Sequence, residues 1–380
     1  MTLPQPISPA TTLATNKKEG KKEAEPIDQK MLDIYTDYLM SSFSYTTATG
    51  LSALLDKRIS HDAITRFLSE REYTSKDLWL LVKPTVRQIE KDDGVLIFDD
   101  TVEEKTYTDE NDIVAWHFDH VTGRSVKGVN ILSCVYRTEE ATVPLAFEII
   151  KKTVSFVDKK TGKTKRRSEE TKNELFRDMF EKVLQNQVKF AHILADSWFS
   201  SNENMKYMTD RKKHFLFAVK DNRLVALSQN EKLQGTFKRL DALSFEDNTV
   251  VECFFKGLDF RVCISKQVFI NENGSTGILY LVTNDLSLDA SSMSAIYKKR
   301  WKVEEYHKSI KSNTGLAKSP TKTVTTQSNH FFASIYAFFR LELLSIKVKL
   351  NHFALRSKIY LSALTASFKE LRVLREGVGA

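Results

Sequence analysis

Gly94–Asp100 reads GVLIFDD, an almost unbroken apolar run that closes on two carboxylates. A run this short, without alternation of polar and apolar positions, fits a central strand covered on both faces. It is also where the chain changes from helical texture to a mixture of strands and helices. The fold class expected from it is α/β.

Upstream the periodicity is helical. Residues 1–27 are rich in Pro, Thr and Lys without periodicity and read as a disordered basic tail. They lack the apolar centre of a signal peptide. From 28 to 90, Met31, Ile34, Tyr35, Tyr38 and Leu39 recur at helical spacing. Thr46–Leu55 and a helix capped by Ser60 flank a turn at Asp56–Ile59. Such a pair fits a helix-turn-helix with Arg58, His61 and Arg66 towards DNA, or a small bundle with no reading role. Ser75 is expected to cap a last helix, kinked at Pro84.

Downstream, Trp116–His120 and Arg124–Val129 flank a Val-Thr-Gly turn as a hairpin, and Asn130–Arg137 and Thr142–Ile150 read as further antiparallel strands. His117 and His120 would point to opposite faces of a strand and make no metal pair. Thr161–Thr164 (TGKT) lacks the first glycine of a phosphate loop, because Val157 stands there, and reads as a turn in a basic loop. Ser168–Gln187 is expected as a helix. Phe190–Ala195 is expected as a second buried strand running into Asp196, followed by a helix at Asn202–Arg211 and a strand at His214–Lys220. Residues 221–292 break this alternation with strands at Val250–Phe255, Leu258–Ile264 and Gly277–Thr283, a β-rich insertion. Two apolar helices, Gln327–Leu350 and Leu355–Arg375, close the core.

Between the insertion and those helices lies Tyr297–Lys311, YKKRWKVEEYHKSIK. Wound as one helix, it gathers Tyr297, Arg300, Glu304, Lys308 and Lys311 on one arc. Ile296, Val303, Tyr306 and Ile310 form the packing face opposite. Glu304 and Lys308 stand one turn apart and suit a salt-laced surface helix. The sharper reading is a carboxylate that binds a metal beside groups that grip phosphate, and it needs partner acids. Asp100 and Asp196, each closing an apolar strand, supply them. Acids at the ends of adjacent central strands converge at one sheet edge, and a helix brings in Glu304. Three hard carboxylates suit divalent cations and in-line phosphoryl transfer.

Composition agrees with that class of chemistry without identifying it. The 380 residues suffice for two or three cores. Net charge is +8 and the pI about 9.1, which favours an acidic partner. The excess is local: Lys151–Lys172 holds nine Lys/Arg against three acids, and Tyr297–Lys322 eight against two. Cys134, Cys253 and Cys263 lack ligand spacing and read as buried, reduced thiols of a cytoplasmic protein. Phe331–Phe339, the most apolar segment, is too short to span a bilayer, so no membrane partner is expected.

Tyr297, Arg300, Glu304 and Lys311 stand at the spacing Tyr-x2-Arg-x3-Glu-x6-Lys. This resembles the Y-R-E-K signature of bacterial cut-and-paste DDE transposases, the insertion-sequence-four family. The resemblance implies a ribonuclease-H-like catalytic core (91–220 and 293–350) interrupted by the β-rich insertion (221–292). It further implies a helical N-terminal DNA-binding domain (28–90) and leaves a C-terminal helix at 351–380. The first acid of the family commonly precedes Thr, as Asp100 does in FDDT, and the doublet leaves Asp99 as its competitor. Asp196 in LADSWFS matches the second acid, although Ser197 stands where many relatives carry Arg; Glu304 matches the third.

By the same resemblance Tyr297, Arg300 and Lys311 hold the DNA end, with Lys308 beside them neutralising phosphate. Two Mg²⁺ per site are implied, with Mn²⁺ able to substitute. An aromatic on the insertion, near Tyr280, would stack on a flipped base. The implied activity is binding of inverted-repeat ends of double-stranded DNA, hydrolysis there, and joining of the 3′ ends to target DNA. A homodimer in the synaptic complex and the bacterial nucleoid are the implied setting. A transposase-derived DNA-binding protein without catalysis and a structure-selective nuclease of the same fold are the alternatives.

Overall fold

A computed structural model of the chain describes residues 26–119, 123–244, 246–271 and 274–377. The expected basic tail lies almost wholly outside these residues, as does His120. Among the described residues, four helices open the chain: α1 (Gln29–Ser41), α2 (Ala48–Leu54), α3 (His61–Ser69) and α4 (Ser75–Ile89). The first three start on a side chain that accepts from a free backbone N–H: Asp28, Thr47 and Ser60. The α2–α3 turn holds Asp56 and Lys57 at positive φ. At α4 the cap is Thr74, not Ser75, because Thr74 and Asp77 close a capping box. Ser75 is occupied elsewhere: its hydroxyl donates to Phe147 O at 2.6 Å and accepts from Phe147 N at 2.8 Å. Pro84 lies inside α4 without ending it.

The strands follow. β1 (Val95–Glu104), β2 (Ala115–Asp119), β3 (Arg124–Arg137) and β4 (Thr142–Ile149) precede a hairpin, β5 (Val154–Val157) and β6 (Thr164–Arg167). Next come α5 (Lys172–Gln185), β7 (His192–Ala195), α6 (Asn202–Asp210) and β8 (His214–Val219). The insertion contributes β9 (Leu224–Ala226), α7 (Gln229–Leu233), β10 (Lys238–Arg239), β11 (Val250–Phe255), β12 (Val262–Ile270) and β13 (Thr276–Thr283). The chain closes with α8 (Ala290–Lys298), α9 (Trp301–Ser312), α10 (Val324–Val348) and α11 (His352–Gly377).

Among the described residues one eleven-stranded mixed sheet runs β10-β9-β11-β12-β13-β8-β7-β1-β3-β2, with β4 also on β3. β1, β7 and β8 are parallel, and β3 is antiparallel to β1. The arrangement is consistent with a ribonuclease-H-like fold. Val95–Phe98 is buried residue after residue, as a doubly covered strand requires. Three details differ from the sequence reading. The break expected at Asn130 is absent, since β3 runs unbroken and serves β2 with its first half and β4 with its second. The TGKT turn is the tip of the β5–β6 hairpin. The strand paired with β11 begins at Val262 rather than Leu258.

The insertion extends the sheet, because β13 pairs antiparallel with β8. α1 and α3 pack on α10 and α4 on β4, so the N-terminal helices share one hydrophobic core with the rest. Cys134, Cys253 and Cys263 are buried free thiols. Among the described residues no helix is long and apolar enough to cross a membrane.

Candidate active site

β1 continues past the acid doublet to Glu104, whereas β7 stops at Ala195. Phe98 lies beside Ala195 in the parallel register, so Asp99 and Asp196 come next to each other where β7 ends. Across the sheet Asp99 pairs with Ser133, whose hydroxyl is 3.5 Å from that of Tyr306 on α9. α9 therefore covers the face that carries Asp99. Arg300, just ahead of α9, stands 3.6 Å from the Asp99 carboxylate and 2.7 Å from that of Glu304. The Tyr297 hydroxyl donates to Ala195 O at 3.4 Å, and the Arg300 guanidinium lies 5.6 Å from the Tyr297 ring. Asp99, Asp196, Tyr297, Arg300 and Glu304 thus meet at one place.

Asp100 points to the opposite face, as the next residue of a strand must. There it accepts from Lys172 Nζ at 2.7 Å and Asn130 Nδ2 at 2.8 Å. The same face is packed by α5, with the Phe98 and Phe176 rings 4.4 Å apart.

The electrostatics of the two aspartates beside α9 follow from burial. Asp99 is pushed up to about 7, by desolvation first and the Asp196 charge second, against the pull of Arg300. Burial also holds Asp196 above the usual carboxylate range, and the Asp100 charge adds to it. The Trp198 backbone N–H, 3.0 Å from Asp196 Oδ1, works the other way. Burial raises the Tyr297 hydroxyl above its ordinary range, so it stays a neutral donor. Two crowded acids with a single guanidinium between them and Glu304 leave a local need for positive charge.

Hard carboxylate oxygens fit a divalent cation by donor type and by charge. Among the described residues, however, no three His, Cys, Asp or Glu side chains are gathered closely enough to hold a metal ion. Glu304 is turned into Arg300, and it could join the aspartates only if that contact opened.

The single helix expected over Tyr297–Lys311 is broken. α8 ends at Lys298 and α9 begins at Trp301. Between them Lys299 N bonds Ile296 O and Arg300 N bonds Tyr297 O, at 3.0 and 2.9 Å. These three-residue bonds tighten the turn, so one angular step per residue no longer holds across it. Glu304 pairs with Arg300, one turn before it, rather than with Lys308, one turn after it. Lys308 keeps its place on α9 beside Glu304, but its Nζ lies 5.2 Å from the Phe353 ring on α11. Lys311 donates to Val102 O at 2.6 Å. The expected packing face stands: Val303, Tyr306 and Ile310 are buried, and Ile296 packs partly buried against them.

Lys172 and Asn130 were not singled out from sequence. Asn130, a polar residue inside an apolar run, carried a signal; Lys172 was one of many cations. Tyr280 is buried in β13, which does not present its ring for stacking. Arg58, His61 and Arg66 are exposed on and beside α3.

The family model described as DDE superfamily endonuclease matches residues 26–234, more than half of the chain. A second, described as transposase DDE domain, matches residues 152–339. The first spans Asp99, Asp100 and Asp196, and the second Asp196 and Glu304. No curated protein matches the chain.

Proposed function

Because this chain belongs to the DDE superfamily of endonucleases, we propose that it is a DNA transposase of the insertion-sequence-four type. In this reading it binds the inverted-repeat ends of its element, cleaves them, and joins the 3′ ends to target DNA as a homodimer, in the bacterial nucleoid. The observation that carries the reading is the meeting of Asp99 and Asp196 where β7 ends beside β1, with Arg300 and Glu304 against them.

Asp196 and Glu304 keep the roles of second and third acid. Asp99 takes that of the first, because it shares a face with both the second acid and the helix that carries the third. Asp100, the position to which the FDDT motif points, is the alternative. Mg²⁺, two ions per site with Mn²⁺ able to substitute, would supply activation of the attacking oxygen and stabilisation of the leaving one.

The chain's own part is positioning. The Arg300 guanidinium, once free of the acids, can fork onto a phosphate. Lys311 retains ammonium protons beyond the one given to Val102 O, and the neutral Tyr297 hydroxyl can donate to a phosphate oxygen. Lys308, exposed near the α11 side of the helix, is left a place further along the DNA. Residues 28–90 are assigned to recognition of the end.

The test is cleavage and strand transfer on DNA carrying the element's ends. Asp196→Asn and Glu304→Gln are each expected to abolish Mg²⁺-dependent cleavage while end binding persists. Wild-type rates in either would remove that residue from the site. Cleavage without joining would identify a nuclease, and end binding without cleavage by the unaltered protein would identify a DNA-binding derivative.

A further inference from the structure

The β5–β6 hairpin forms a two-stranded sheet apart from the main one. Its ladder has four pairs, from Val154↔Arg167 to Val157↔Thr164, and nearly all of its residues are exposed. A two-stranded hairpin with so little buried surface gains little from packing. It is nonetheless fastened at the foot. Arg166 donates to Asn111 O and to Asp112 Oδ1, both at 2.8 Å, and Thr153 Oγ1 donates to Glu169 at 3.1 Å. The tip is shaped as well: Asp158 Oδ1 accepts from the backbone of Lys160 and Thr161, and Gly162 takes a φ of 66°.

Its charge is one-sided. Residues 158–167 carry Lys159, Lys160, Lys163, Lys165, Arg166 and Arg167 against Asp158 alone. Lys165 and Arg166 are ion-paired. Lys159, Lys160 and Lys163 at the tip are exposed and, among the described residues, have no carboxylate partner. The foot opens on a cleft of about 650 Å³ lined by Arg167, Lys152, Lys172 and Trp198, with Glu169 and Glu170 on its wall. Lys172 is the residue bonded to Asp100, and Trp198 stands two places from Asp196. Asp100 belongs to the α5 face, so the tie to the acid site runs through Trp198, whose backbone N–H donates to Asp196 at 3.0 Å. A duplex with a phosphate at Asp196 therefore has the hairpin beside its path.

We infer that the β5–β6 hairpin is a DNA-reading ribbon that enters the major groove of the duplex flanking the cleavage site, led by Lys159, Lys160 and Lys163. A major groove about 12 Å wide admits a two-stranded β-ribbon as it stands, whereas a minor groove about 6 Å wide has first to be opened by bending the duplex. From within it, lysines reach guanine O6 and N7 and the phosphates of the groove walls. The inference rests on the reading that DNA lies at the acid site.

The experiment is binding of end DNA by the full chain in EDTA, where no cleavage intervenes. The Lys159→Ala/Lys160→Ala/Lys163→Ala variant should keep the melting temperature of the unaltered protein. Its slope of log K against log salt should fall by about 0.9 for each lysine removed. Bulky glucosyl groups on the cytosine C5 position of flanking DNA, which fill the major groove, should weaken the unaltered protein at least tenfold and the variant hardly at all. An unchanged salt slope overturns the inference. So does a lowered slope with no effect of the groove modification, which leaves the lysines on the backbone. Mg²⁺-dependent cleavage with hairpin-independent binding sinks the ribbon and keeps the acid site. Hairpin-dependent binding by an unaltered protein that never cuts does the reverse.

Discussion

Asp99 and Asp100 are adjacent and chemically identical, yet the sheet sends them into unlike surroundings. Asp99 is crowded by Asp196 and shares Arg300 with Glu304. Asp100 has its own ammonium, Lys172, and an amide donor, Asn130. The α9 face thus holds negative charge that is only partly met, while on the α5 face Asp100 is paired, although its charge still reaches Asp196. A divalent cation gains most on the first face and would have to displace Lys172 on the second. Strand alternation has made two differently tuned acids from one dipeptide.

The comparison breaks most visibly in catalysis. Asp99→Asn is expected to slow Mg²⁺-dependent end cleavage by a thousandfold or more, the loss of several kcal/mol of charge stabilisation in the transition state. Asp100→Asn should cost about tenfold or less, through the loss of its contact with Lys172. Single-turnover cleavage of end DNA measures both. The opposite ranking would move the first acid to Asp100 and make the α5 face the working one.

Much of this was legible in the sequence, and the remainder was not for definite reasons. Burial of β1 and β7, the helix cap at Ser60, and the packing stripe Val303–Tyr306–Ile310 are local patterns, and they appear where the patterns put them. Which member of the doublet faces α9 depends on the register of β1 against β7 and on the side α9 takes, both long-range properties. FDDT contains neither. The break before α9 was hidden because Lys299 and Arg300 suit a helix as well as the turn that replaces it. Lys172 looked like any other cation of its run, since its partner lies 72 residues away. Ser75 lost the cap to Thr74 for a similar cause: its hydroxyl bonds a strand the sequence could not place beside it.

Stability against pH sharpens the comparison at a smaller scale. A carboxyl pushed up to about 7 keeps its proton when folded and loses it when unfolded between about pH 4 and 7. The folded state then binds more protons, so its stability falls as pH rises through that window. Asp99→Asn removes this loss. Without divalent ions, the variant should become more stable than the unaltered protein by up to a few kcal/mol as pH approaches 8, and gain little near pH 4. Asp100→Asn, which breaks an ion pair, should lower the melting temperature instead. Mg²⁺ at pH 8 should raise the melting temperature of the unaltered protein more than that of Asp99→Asn. Scanning calorimetry at pH 4 to 8 reads all three. A parallel shift of Asp99→Asn at every pH would place that carboxyl in ordinary solvent.

The smallest expected effect concerns the cations around the α9 face. Lys311 donates to a neutral carbonyl, and the carboxyl it acts on, Glu103, is held above its usual range by burial, so much of its charge is left for DNA. Arg300 is held by two acids, so in metal-free protein its charge is already spent. Lys299 lies apart from both, near enough to His192 to depress that imidazole together with burial and His214. Lys311→Ala should therefore lower the slope of log K against log salt by about 0.9 whether or not a divalent ion is present. Arg300→Ala should lower it similarly only in Ca²⁺, an ion of the right charge for the acids, and leave it unchanged in EDTA. Lys299→Ala should leave it unchanged in both. Filter binding over a salt series in the two buffers measures the six slopes. An Arg300→Ala slope that is the same with and without Ca²⁺ would show that the guanidinium never exchanges the acids for phosphate. Equal slopes for all three variants would remove the segment before and along α9 from the DNA altogether.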